Sequence, residues 1–136
     1  MTNEKMRPIR VMLFTAGRQN VQIEDLRQAI RPQCVSHVVL LDFEGVLKAG
    51  DYHELQARIE AGLEVLDGSQ FDAFLKDLTP YVANLSAEFY RHEDLVLSFS
   101  YFDNTYLTLA GEEDLVRPIL DLVERLVRNS PTMIDS

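Results

Sequence analysis

Cysteine is nearly absent from this sequence: Cys34 stands alone, so no internal disulfide can close the fold. Basic residues are also few, 13 Lys and Arg against 22 Asp and Glu for a formal net charge of -9. Nowhere do they cluster densely enough to neutralise a row of phosphates, which argues against a nucleic-acid partner. Long apolar runs are missing too. No segment approaches the roughly 20 residues that cross a bilayer, so membrane insertion is not expected. The basic start (Lys5, Arg7, Arg10) leads only into Val11-Met12-Leu13-Phe14 before polar residues return, too short for a secretory leader. A cytoplasmic protein is the expectation. Gly17 is a lone glycine after a strand, and no Ser or Cys sits in a nucleophile elbow, so neither a phosphate-cradling loop nor an acyl-transfer site is legible.

What is present describes a globular chain. Its 136 residues, 46% of them apolar and 26% charged, suit one domain around a single core, here expected over about residues 7–130 with frayed ends at Met1 to Lys5 and Pro131 to Ser136. The acidity keeps a small domain soluble and also suits an inhibitor that masks a basic protein surface.

Periodicity supplies the elements. Ile9 to Phe14 reads as a strand, followed by a polar turn, Thr15 to Asn20, with Asn20 as a helix cap. Ile23, Leu26 and Ile30 predict a helix over about 21–31, ended by Pro32. Val38-Val39-Leu40-Leu41 is apolar at consecutive positions, which predicts a strand covered on both faces. Glu44-Gly45 offers a turn into a short return strand ending at Gly50. From Tyr52 to Arg91 the pattern reads helical: Leu55, Ile59, Leu63 and Leu66 form a stripe closed by Asp67-Gly68, Phe71 to Leu78 continue it, and Thr79-Pro80 caps a run through Val82, Leu85 and Phe89. LVLSFSYF (Leu95 to Phe102) alternates as a strand, Asp103-Asn104 suits a tight hairpin into Thr105 to Ala110, and Leu115, Ile119, Leu122, Val123 and Leu126 stripe a closing helix, irregular near Pro118. The order predicts an α/β fold with a mixed, largely antiparallel central sheet sandwiched by helices.

Two constellations invite chemistry. LLDFEGVL resembles the first motif of the haloacid dehalogenase superfamily, in which Asp42 would be the phosphoryl nucleophile of a metal-dependent phosphohydrolase. Glu44 then stands where a second, acid-base aspartate is usual, a methylene too long for a site that tolerates little misplacement. TLAGEEDL faintly resembles that family's metal-binding motif at Gly111-Glu112, and Lys76 is the candidate phosphoryl-steadying lysine. The bland alternative is a solvated turn carrying two carboxylates. Cys34-x-x-His37 has half-zinc-site spacing, with His53 and His92 the other histidines, against the plainer reading of a small buried thiol beside a strand histidine. No metal or cofactor is expected.

Residues 21–129 resemble the roadblock (dynein light-chain) family. VSHVVLLDFEGVLKAG is similar to its strand, acidic-Gly turn and second strand, LSFSYFDNTYLTLAGEEDL to its later hairpin, and LVRPILDLVERLV to its closing helix. The N-terminal strand and the long middle helical region depart from the family pattern. The resemblance implies a non-catalytic regulator or scaffold that forms a homodimer and binds a protein partner, a small GTPase or similar. On that reading Asp42, Glu44 and Gly45 are hairpin residues, and the dimer interface is expected on Leu55, Ile59, Leu63 and Leu66.

Overall fold

The computed structural model describes residues 5–13, 21–103 and 105–128. The predicted turn at Thr15 to Asn20, the Asn20 cap, Asn104 and both termini except Lys5 lie outside the described residues. In chain order the elements are β1 (Lys5–Met12), α1 (Ile23–Leu26), a 3₁₀ turn (Pro32–Cys34), β2 (His37–Leu47), α2 (Tyr52–Glu60), β3 (Val65–Leu66), α3 (Gly68–Lys76), β4 (Leu78–Arg91), β5 (Asp94–Phe102), β6 (Tyr106–Glu112) and α4 (Glu113–Arg128). The strands form one six-stranded sheet in the order β1-β6-β5-β4-β2-β3, antiparallel at every pairing.

The longest correction to the sequence reading is β4. Val82, Leu85 and Phe89 have helical spacing, yet they sit in a 14-residue strand. Asn84 pairs with Glu44 and Val82 with Gly45, leaving Ala83 as an extra, bulged residue. The bulge turns the period-two pattern into i, i+3 at that one step. Leu85, Ala87 and Phe89 then resume ordinary alternation, all buried. The expected turn at Glu44-Gly45 is likewise absent, because β2 runs unbroken for 11 residues. Gly45 stays in the ladder, and a Cβ there would lie 2.7 Å from the Tyr81 carbonyl oxygen.

Asp67 opens a helix where the sequence suggested a close. Its carboxylate accepts from the Gln70 backbone N–H and the Gln70 side chain returns to Asp67 N–H, a reciprocal cap that starts α3. Asp51 caps α2 by a single bond, its carboxylate accepting from Glu54 N–H at 3.1 Å. The helix expected over 21–31 is reduced to the four residues of α1. Pro118 lies inside a regular α4 and not at its start. It forfeits a bond to the carbonyl of Asp114, which is exposed near the helix's open end, where water can take the place of the missing donor.

All four helices pack on one face of the sheet. That face presents Val38, Leu40 and Phe43 from β2, Leu85, Ala87 and Phe89 from β4, Leu97, Phe99 and Tyr101 from β5, and Leu107 and Leu109 from β6. α3 sets Phe71 edge-on to Phe89 (centroids 5.2 Å apart) and Phe74 edge-on to Phe43 (5.4 Å). α4 covers the β5, β6 and β1 side with Leu115, Val116, Ile119, Leu122 and Val123, and these residues form one continuous core cluster. Arg27 of α1 reaches Asp72 of α3 at 3.3 Å, a hydrogen bond that, with Lys76 adding, holds the Asp72 carboxyl below its ordinary pKa. Burial pushes the Tyr101 phenol up to about 12, with the charge of Asp103 adding, so it stays protonated in the core.

Among the described residues the sheet is therefore covered on one side only, and the expected helical sandwich is corrected to two layers. Leu41, predicted to be covered, is 48% exposed. At the far edge β3 pairs with β2 at Val38 and Val39 alone. Beyond that pairing Gln56 of α2 donates its side-chain N–H to the Phe43 carbonyl, and the Asp77 carboxylate accepts from the N–H groups of Ala49 (2.8 Å) and Gly50 (3.0 Å).

Candidate functional site

The uncovered face is built by register. Residues directly opposite on paired strands share a face, so each ladder position extends into a row across the sheet. One row reads Asp42 (β2), Ser86 (β4), Ser100 (β5), Thr108 (β6) and Arg10 (β1). A second reads Glu44, Asn84, Phe102, Tyr106 and Met12, and a third Val39, Glu88, Ser98 and Ala110. Leu41 joins this face because it is the extra residue of a bulge, between the Leu40–Ala87 and Asp42–Ser86 pairs.

The middle of the face is floored by small side chains. Ser86, Ser98, Ser100, Thr108 and Ala110 line a shallow groove of about 350 Å³ that ends at Leu41 on β2 and at Pro8 on β1. Ser86 and Ser100 hydroxyls bond each other at 3.1 Å, which satisfies them across the floor. One end carries Asp42 and Glu44, the latter accepting from Asn84 Nδ2 at 3.0 Å. The other carries Arg10, whose guanidinium carbon lies 4.1 Å from the centre of the Tyr106 ring, itself stacked on Phe102. Around the floor the face is apolar. Of the eight large hydrophobic residues exposed among the described residues, all but Leu63 lie here: Met12, Leu41, Val46, Val65, Tyr81, Phe102 and, in the row of His37 and Tyr90, Leu95.

The residues singled out in the sequence are scattered by this geometry. Asp42 is exposed on the open face, whereas Lys76 belongs to α3 on the covered side and pairs with Asp72 at 3.3 Å. Gly111-Glu112 lies on β6, three strand spacings or about 14 Å from β2. Glu112 is buried and bonded to Arg91 at 2.7 Å. Cys34 is exposed, so the buried-thiol reading is corrected. His37 stacks on Tyr90 at 5.1 Å, His53 packs edge-on to Tyr52, and no group of three His, Cys, Asp or Glu among the described residues could hold a metal ion.

The expected dimer stripe also falls elsewhere. Leu55 is in the core, Ile59 and Leu66 are half-buried against it, and Leu63 alone is exposed, at 71%. Most of the stripe is thus spent on the chain's own core. The residues that form the open face were not singled out, although the alternation of Ser98 and Ser100 with Leu97 and Phe99 was a signal that one side of β5 is flat and small.

Fold and face together define a two-layer α/β protein, a six-stranded antiparallel sheet with four helices on one side and an apolar, small-floored surface on the other. No protein-family model, curated protein or solved structure matches the chain. Among the described residues no helix is long and apolar enough to cross a membrane.

Proposed function

We propose that this chain is a cytoplasmic, non-catalytic regulatory or scaffold protein that dimerises and works by binding protein, with the open sheet face as its docking surface. The observation that carries this reading is the gathering of seven exposed apolar side chains on the side of the sheet that no helix covers among the described residues. Patches of that kind mark interaction surfaces. A small GTPase is the partner class implied by the roadblock resemblance. The segments on which that resemblance rests form β2, β5, β6 and α4, and the continuous β2 departs from the family's acidic-Gly turn.

A photo-crosslinking residue placed at Ser98, in the groove floor, is expected to form a covalent adduct with a polypeptide in the native cell. The same residue at Glu60, exposed on α2, serves as the control. Adduct mass identifies what was captured. Equal labelling at the two positions, or no polypeptide adduct at Ser98, sinks the docking-face reading.

The phosphohydrolase alternative has its own test. Magnesium-dependent hydrolysis of a generic phosphate ester is expected at background for wild type and for Asp42→Asn alike, since Lys76 is paired with Asp72 on the covered side and Ser86, opposite Asp42, spends its hydroxyl on Ser100. Reproducible turnover that disappears in Asp42→Asn would overturn the non-catalytic assignment.

A further inference from the structure

We infer that the occupant of the open face is a second copy of this chain, packed sheet against sheet about a twofold axis that runs along the strands at β5. The inference rests on the docking-face reading above and commits it to one partner.

Charge order along the rows carries this pairing. In the row from Asp42 to Arg10 an acid stands at the β2 end, a base at the β1 end, and Ser86, Ser100 and Thr108 between them, with β5 in the middle of the five strands. A twofold axis along the middle strand exchanges β2 with β1 and β4 with β6. Arg10 of each copy then lies over Asp42 of the other, Ser86 over Thr108, and Ser100 over Ser100. Such an interface must be self-complementary, and this row is.

The second row agrees, and the third sets Ser98 against Ser98 with Glu88 over Ala110. In the second, the same operation sets Phe102 against Phe102 and Asn84 against Tyr106, and it brings Glu44 to the Met12 end, beside Arg10. In the groove, Leu41 at one end meets Pro8 at the other. The small floor matters here because packed sheets approach to about 10 Å, and serine, threonine and alanine in the centre leave room for the larger rim residues to interdigitate.

The two charged groups are available for such a pairing. Among the described residues neither Arg10 nor Asp42 enters an ion pair. The ring of Tyr106 holds the Arg10 guanidinium on the open face, which reduces the side-chain freedom to be lost on pairing. An unrelated basic partner would complement Asp42 and Glu44 but would meet Arg10 with like charge. A second copy answers both ends at once.

Charge exchange tests this directly. Sedimentation of the full chain at micromolar concentration is expected to show a dimer. Arg10→Asp and Asp42→Arg should each weaken it by about thirtyfold or more, because each places two like charges face to face at both ends of the interface. Both positions are exposed, so circular dichroism should be unchanged. Mixing the two single variants should restore association as a heterodimer, since every contact then again joins Asp to Arg. The double variant should restore it as a homodimer. A wild type that stays monomeric, single variants that dimerise like wild type, or a mixture that stays monomeric each overturns the inference. A monomer whose Ser98 adduct contains a different protein would sink self-pairing and leave the docking face standing; no adduct with any polypeptide would sink both.

Discussion

Gly111→Ala is expected to leave the protein largely unfolded in mild denaturant, the greatest loss for the smallest change in this chain. Gly111 sits in β6 with φ +152°, a region that side chains rarely adopt. A Cβ there would lie 2.2 Å from the Val96 carbonyl oxygen and 2.7 Å from Leu97 Cα. Both obstacles are backbone, so no rotamer change relieves them. Val96 is held in place because it is the extra residue of a bulge in β5, between the Phe89–Leu97 and Tyr90–Leu95 pairs. Backbone strain of about 1–3 kcal/mol adds to overpacking of similar size. The sum, roughly 2–6 kcal/mol, is a large share of the roughly 5–15 kcal/mol that such a domain has in total. Urea unfolding followed by circular dichroism measures it. A Gly111→Ala protein within about 1 kcal/mol of wild type would mean that β6 does not approach β5 as closely as described.

Phe43→Ala ranks next. The ring is fully buried, edge-on to Phe74 and 6.0 Å from Tyr52, so it joins β2 to both α2 and α3. Truncation removes that apolar area and leaves a cavity between a strand and two helices, which costs about 3–5 kcal/mol. Leu41→Ala, two residues earlier on the other face, is expected to cost less than about 1 kcal/mol because its side chain is half in water. The pair tests the bulge itself. Equal losses at Leu41 and Phe43 would show that the strand is out of register, since the bulge is what sends these two side chains to opposite faces.

Comparison of single elements shows what the sequence could and could not disclose. β5, the β5–β6 hairpin and α4 were legible because each keeps one uninterrupted period: two along LVLSFSYF and about 3.6 along Leu115, Ile119, Leu122 and Val123. β4 was not, because the bulged Ala83 put Val82 and Leu85 three apart and Thr79-Pro80 reads equally as a cap and first turn. Gly45 misled for a related reason. Glycine marks a turn in isolation, but here it marks where the Tyr81 backbone comes close to β2. The candidate site was half legible. Serine at 98 and 100 shows that one side of β5 is small, yet which strands lie beside it depends on pairing order, a property of distant segments that local pattern does not carry. The stripe at Leu55, Ile59 and Leu66 illustrates the converse, since an apolar helix face is the same in sequence whether it meets its own sheet or another chain.

The short β3 has a consequence for how assembly ends. After Leu40, whose N–H donates to the Glu64 carbonyl at 3.0 Å, the outer margin of β2 has no strand alongside it among the described residues, and such margins recruit further strands from other molecules. Here the Phe43 carbonyl is occupied by Gln56, and just past the strand the N–H groups of Ala49 and Gly50 are taken by Asp77. Side chains thus stopper a margin that is too short of strand to be sealed by one. Growth of the sheet sideways at this margin is thereby discouraged.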